Sequence, residues 1–209
     1  MEYWDTIATE RRLLADQLDG LTPDQWATQS LCEAWTVKSV VAHLVVPHEV
    51  SVPRFALAFL VARGSFDRAS EAMTAKLDTR STTQLVSDLR RHAEGRFKPP
   101  GFGSEAPLTD VLIHGQDIRI PLGLETPGPV EPWKGVLDLL VTQKARRGFL
   151  ARPLPAVRMR ATDLAWEHGS GDKVSGPAMA LALTIMGRKA LVEDLTGPGA
   201  PELASMTTA

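Results

Sequence analysis

Apolar residues recur every three or four positions through most of the first 150 residues, and every second position in a short stretch after residue 155. The first spacing predicts amphipathic helices and the second predicts a strand. Residues 2–19 carry Trp4, Ile7, Leu13, Leu14 and Leu18 among charges, a helical spacing that Gly20 ends. Thr22-Pro23 opens a short helix, with Thr as cap, Pro in the first turn and Trp26 as core anchor. Thr36 caps the next helix, whose apolar stripe is Val37, Val40, Val41 and Leu44, with His43 beside it. Pro47 and Pro53 kink or break that helix, and Phe55 to Arg63 resumes it. Gly64 to Thr79 reads as a loop or a partly helical connection. A helix over 81–98 runs from the Ser81/Thr82 cap through Leu85, Val86, Leu89 and Ala93 and stops at Lys98-Pro-Pro-Gly-Phe-Gly103. Pro107 opens a helix carrying Asp110 and His114, and Pro132 opens one that runs to about Phe149.

After Arg152-Pro-Leu-Pro155 the texture changes. Val157 to Ala161 alternates as a strand, Leu164 to His168 reads as a second, and Gly169-Ser-Gly-Asp172 reads as a hairpin turn between strands. Pro177 starts a helix through Met186 that Gly187 ends, followed by a short helix to Leu195 and the loop Gly197-Pro-Gly199. The pattern predicts a mainly α chain with a C-terminal α+β part: a helical bundle over residues 1–150 and a small α+β domain over 151–209.

Composition narrows the function classes. The 209 residues are 44% hydrophobic and 23% charged, an ordinary globular balance. A formal net charge of -2 offers no general attraction to nucleic acid or to an anionic membrane. The basic run Arg90, Arg91, His92, Arg96 and Lys98 reads as a solvated helix face. A single cysteine, Cys32, excludes an intrachain disulfide and a Cys-rich zinc site, and reads as a structural cysteine rather than a nucleophile or ligand. Glu2, Asp5 and Glu10 after Met1 are the opposite of a basic signal-peptide start, and the longest apolar run, Phe55 to Ala62, is far short of the ~20 residues a membrane helix needs. The expectation is a soluble, cytoplasmic protein, monomer or homodimer, with neither membrane nor nucleic-acid partner.

The candidate chemistry sits in Thr109-Asp110-Val-Leu-Ile-His114-Gly-Gln-Asp117. Four helical steps return a side chain to within about 40° of the same face, so Asp110 and His114 project side by side. With Val111, Leu112 and Ile113 between them the pair is not on a solvent-washed surface, and a lone buried charge is costly. Two readings remain: a metal site, or a structural pair in which Asp holds a core His in one tautomer. His43, on a different helix of a bundle, adds a third candidate ligand. Two His and one carboxylate with an open position suit hydrolytic or Lewis-acid zinc sites and some iron sites. Asp117 either orients His114 from behind or is a surface acid at a helix end. His48 lies roughly 140° from His43 around the helix and is not read as a co-ligand; His92 and His168 are read as exposed.

Ser30-x-Cys32-x-x-Trp35-Thr36-Val37 followed by Val41-Ala42-His43-Leu44 resembles the first signature of the mycothiol-dependent maleylpyruvate isomerase family, within the DinB-like metal-binding four-helix bundles. Similar to its second signature are an acid, three apolar residues, His114-Gly115-Gln116-Asp117 and Pro121-Leu122-Gly123. A third covers Ala161-Thr162-Asp163-Leu164-x-Trp166, Val174-Ser-Gly-Pro177, Gly187-Arg188 and Leu195-Thr-Gly-Pro-Gly199. The resemblance implies a DinB-like bundle with a small sterol-carrier-like C-terminal domain, and a divalent metal, usually zinc, on His43, the acid at 110 and His114. It implies mycothiol as cosubstrate and a small-molecule electrophile as its target. The family often has Glu where this chain has Asp110, a side chain one methylene shorter. Arg188 matches the arginine that the second domain contributes to the isomerase site. A metal-bound thiol is deprotonated, and its thiolate would add to a cis double bond, allow rotation and leave as the trans bond reforms, or else transfer to an electrophile. The competing functions are a non-catalytic relative that binds metal and ligand, and a hydrolase using metal-bound water.

Overall fold

Capping chemistry sets where the N-terminal helices begin. The Thr22 hydroxyl accepts the Gln25 backbone N–H while the Gln25 side chain accepts the Thr22 N–H, and Ser81 and Gln84 repeat this reciprocal pair. Thr36 accepts the Ser39 N–H and Ser65 accepts the Arg68 N–H. The computed structural model describes residues 2–148, 150 and 152–207, which divide into two compact units, Met1–Pro127 and Gly128–Ala209.

The first unit holds α1 (Trp4–Leu18), α2 (Pro23–Ala27), α3 (Val37–Glu49), α4 (Val52–Val61), α5 (Phe66–Leu77), α6 (Thr82–Arg91) and α7 (Glu105–Leu122). α1 packs on α6 and α7, and α3 packs on the same two, which closes a four-helix bundle. Its core is the buried faces of those helices: Ile7, Leu14 and Leu18; Val37, Val40 and Val41; Leu85 and Leu89; Leu108, Ile113 and Ile118. A buried polar contact also joins α1 to α7, where Arg119 Nε donates to Gln17 at 2.8 Å and both Nη groups lie 3.4 Å from Glu10.

Two expectations in this unit are resolved. Of the two readings for Gly64 to Thr79, a loop or a partly helical connection, the second holds: it contains a three-turn helix, α5, whose Ala69, Ser70, Met73, Thr74 and Leu77 are buried and which packs on α3. Polar residues among these apolar ones hid the periodicity. Pro47 does not break α3, which continues to Glu49. Its proline gives up the N–H that would close on the His43 carbonyl four residues back and crowds that carbonyl with its ring, but it stands in the last turn, with only two helical residues after it. Pro121 sits in the last turn of α7 in the same way, before Gly123 (φ 63°) ends the helix.

The second unit holds α8 (Pro132–Leu140), α9 (Gln143–Gly148), β1 (Val157–Ala161), β2 (Glu167–Gly169), β3 (Asp172–Gly176), α10 (Ala178–Ile185) and α11 (Ala200–Ala204). The helix expected from Pro132 is two helices, α8 and α9, and its expected end at Phe149 lies outside the described residues. Residues 128–150, read from sequence as part of the bundle, group with this unit because α8 packs on α10. The sheet order is β2-β1-β3, with β2 antiparallel and β3 parallel to β1. Gly169 to Asp172 is therefore not a hairpin turn. The chain crosses past the start of β1, from one edge of it to the other. A Cβ on Gly169 (φ 89°) would lie 2.2 Å from the Val157 carbonyl oxygen, and one on Gly171 (φ 105°) 2.2 Å from that of Ala156. Only glycine passes this close to a strand in a left-handed conformation. No helix among the described residues is long and apolar enough to cross a membrane.

Candidate metal centre

His43 projects from the middle of α3, and Asp110 and His114 from successive turns of α7, which packs on α3. The fold brings the three together. His43 Nε2 lies 3.4 Å and His114 Nε2 3.7 Å from Asp110 Oδ1, and one ligand atom from each residue falls within 4.8 Å of the others. Among the described residues this is the group of His, Cys, Asp and Glu side chains placed to hold an ion.

Each imidazole is held from its far side. His114 Nδ1 is 2.8 Å from Asp117 Oδ2, and the Asp117 side chain is fully buried. The sequence left Asp117 open between an orienting residue and a surface acid; its burial and this bond make it the orienting one. His43 Nδ1 lies 3.3 Å from the Ser70 hydroxyl and 3.5 Å from that of Thr74, both on α5. Sequence reasoning missed these two residues because it left that stretch between a loop and a partly helical connection, with no face assigned to it. With a metal bound, Nδ1–H would donate outward and leave both Nε2 lone pairs facing it beside Asp110; in the metal-free chain a proton on Nε2 instead bonds His43 to Asp110 at 3.4 Å.

Charge favours an ionised carboxylate. Burial raises the Asp110 carboxyl, but the hydrogen bond with His43 and the nearby charges of His43, His114 and Arg11 outweigh it and leave the group below its ordinary value. Arg11 is buried on α1, and its Nη1 donates to the carbonyls of His92, Ala93 and Gly95 at the end of α6 at 3.2, 3.1 and 2.9 Å. Two imidazoles and one carboxylate, converging and individually braced, fit a borderline divalent ion such as zinc.

Trp35 is the other residue at this centre. Its ring centroid is 4.6 Å from that of His43 and 5.8 Å from that of His114, while the two imidazoles are 4.8 Å apart at 69°. Cys32, in the same loop, is half-buried, and its carbonyl accepts from the Trp35 N–H at 2.9 Å.

The remaining sequence candidates fall elsewhere. His48 does not join the centre; its ring stacks on His92 at 5.3 Å and 14°. His92, expected to be exposed, is half-buried, with Nε2 2.7 Å from Glu49, whereas His168 is exposed. The basic run is charge-paired rather than simply solvated: Arg90 meets Asp16 and Asp19, Arg91 meets Glu49 and Asp88, and Arg96 lies over Trp4. In the second unit, Gly187-Arg188 closes α10. The Gly187 N–H bonds the Thr184 carbonyl, the Arg188 N–H bonds that of Leu183, and the Arg188 guanidinium donates to Met186 at 2.6 Å.

Residues 7–98 match the family model described as the mycothiol maleylpyruvate isomerase N-terminal domain, which shows the resemblance read from the first signature. That segment contains Trp35, His43, Ser70 and Thr74, while Asp110 and His114 lie beyond it. No curated protein matches the chain. The crystal structure of a histidine-to-alanine mutant of the mycothiol-dependent maleylpyruvate isomerase is 15% identical, over 94% of this chain and 93% of that one, with a TM-score of 0.59. The crystal structure titled simply as that isomerase is 14% identical over the same shares, with a TM-score of 0.56. The two structures share this chain's fold, a helical bundle followed by a small α+β part.

Proposed function

We propose that this chain is a metal- and mycothiol-dependent enzyme, an isomerase or S-transferase acting on a small electrophile. The observation that carries the reading is the convergence of His43, Asp110 and His114 within 4.8 Å of one another, both histidines contacted at Nδ1 by other side chains. The match of residues 7–98 to the isomerase family's N-terminal domain supports the choice of thiol. When bound at such a centre, a divalent ion, zinc first among the candidates, supplies the Lewis acidity that keeps a coordinated thiol deprotonated near neutral pH.

The chain's own residues then have defined tasks. His43 and His114 present Nε2 and carry their protons on Nδ1, where Ser70 and Asp117 accept them. Asp110 supplies the negative charge of the ligand set. Arg188 is our proposed partner for an anionic substrate, on the strength of the Gly187-Arg188 resemblance. The hydrolase reading uses the same three ligands and differs in its nucleophile.

The test is metal content of the untagged protein beside His114→Ala, followed by turnover of maleylpyruvate and of model electrophiles with and without mycothiol. About one metal per chain, lost in the variant, with thiol-dependent turnover supports the proposal. Metal-dependent turnover without thiol moves it to the hydrolase. Metal binding with neither turnover moves it to a non-catalytic relative.

A further inference from the structure

The loop before α3 lies outside the ligand set, yet its Trp35 touches both ligand imidazoles. The loop is braced far beyond what a connection needs. The Trp35 carbonyl receives three donors: the Ser30 N–H at 3.1 Å, the Ser30 hydroxyl at 2.7 Å and the Gln29 side-chain amide at 2.8 Å. The Leu31 N–H crosses to α7 and donates to the Asp117 carbonyl at 3.1 Å. That carbonyl is open for a reason written in the sequence. Pro121 stands four residues later and has no N–H to close on it. Asp117 is thereby used at both ends: its carboxylate holds His114 and its carbonyl holds the loop that carries Trp35.

We propose that residues 29–35 form a clamp in which Trp35 is a positioning residue that fixes the ring orientations of His43 and His114, and that Pro121 is what lets the clamp dock on α7. The inference rests on the metal-centre reading above. An imidazole torsion is broad and roughly two-fold, so a ring keeps one orientation only if its surroundings impose it. The two rings differ in this. His114 has a charged acceptor at 2.8 Å, whereas His43 has only hydroxyls at 3.3 and 3.5 Å. The aromatic contact at 4.6 Å therefore carries more of the restraint on His43.

The test uses cobalt(II) as probe and the full-length chain. Trp35→Leu lowers cobalt affinity about tenfold, the scale on which residues behind metal ligands act, and alters the cobalt d–d spectrum. Trp35→Phe, which keeps an aromatic ring, returns both to near wild type. Pro121→Ala supplies an N–H that competes with Leu31 for the Asp117 carbonyl; it lowers affinity several-fold without lowering the melting temperature. In the metal-free protein, imidazole carbon–proton NMR signals of His43 and His114 broaden or shift in Trp35→Leu, most strongly for His43. A folded Trp35→Leu with wild-type cobalt affinity, spectrum and imidazole signals overturns the clamp. A wild-type protein that binds no cobalt, yet loses its sharp imidazole signals in Trp35→Leu, removes the metal reading and leaves the clamp standing.

Discussion

Helix α3 presents two histidines: His43 beside Asp110 and His114 of α7, and His48 beside His92 and its own helix neighbour Glu49. Around His43 the polar atoms point inward at one another: two Nε2 atoms and Asp110 Oδ1 face a common point. Around His48 they are already consumed. Glu49 takes His92 Nε2 at 2.7 Å, Arg80 at 2.7 Å and Arg91 at 3.0 Å, while His48 stacks on His92 and its own buried Nε2 has no hydrogen-bond partner among the described residues. The backbone of Gly95 crowds His48 so closely that a Cβ there would lie 2.5 Å from its ring. Residue types alone do not separate the clusters. Convergence with a net negative ligand set makes one a metal candidate, while charge saturation by arginine makes the other structural.

The widest separation between the two regions should come from removing one ligand in each. His114→Ala or Asp110→Asn should weaken zinc or cobalt binding by more than ~100-fold, since loss of a ligand exceeds the 10–100-fold typical of the residues behind it. His92→Gln should leave affinity within about threefold of wild type. Isothermal titration with cobalt(II) reads both. The same contrast should appear as thermal stabilisation: excess zinc should raise the melting temperature of wild type and of His92→Gln and fail to raise that of His114→Ala. Equal losses on both sides would erase the distinction.

Within the metal candidate, the two braces are unequal, and removing them sharpens the picture. Asp117→Asn should cost about 10–100-fold in cobalt affinity, because an amide is a weaker acceptor for His114 Nδ1–H than a fully buried carboxylate at 2.8 Å. Ser70→Ala should cost only a few-fold, because a neutral hydroxyl at 3.3 Å is shared with Thr74. Competition with a chromophoric chelator measures the two side by side. If Ser70→Ala costs more than Asp117→Asn, the ranking by charge and distance is wrong.

Much of this was legible in the residues. Thr22, Thr36 and Ser81 marked helix starts that the caps reproduce, and the i, i+4 spacing of Asp110 and His114 placed them on one face. What was missed had a physical cause in each case. α5 buries Ser70 and Thr74 beside the apolar Ala69, Met73 and Leu77, and nothing in the spacing says that a buried hydroxyl faces a histidine of another helix, so the groups that brace His43 went unseen. His92 looked like part of a basic face because its partner, Glu49, is 43 residues away. The crossing at Gly169 and Gly171 carries the same glycines a hairpin turn uses, and only pairing on opposite edges of β1 tells them apart. Trp35 read as a family signature, but its contact with both histidines depends on backbone bonds that a sequence does not display.

The remaining effects lie in the acid limb of stability, and they belong to the second cluster. Burial, with the charges of Arg11 and His92, lowers His48 to about 4 from 6.5, against a weaker opposing pull from Asp110 and Glu49. The unfolded chain then binds a proton that the folded chain refuses, so His48 erodes stability as pH falls from about 6.5 to about 4 and adds nothing further below that. Glu49 works lower on the scale. Its hydrogen bonds to His92 and Arg80 lead the causes that bring its carboxyl down to about 2 from 4.5, so its contribution is present above pH 4.5 and fades as pH falls toward 2. Glu49→Gln should therefore cost about 1 kcal/mol at pH 7 and flatten the profile below pH 4.5. His48→Phe should instead flatten it between pH 6.5 and 4. Urea midpoints at about pH 7, 5.5, 4 and 3 distinguish the two windows. A His48→Phe protein that loses stability between pH 6.5 and 4 as steeply as wild type would show that the stacked histidine is not the group refusing the proton.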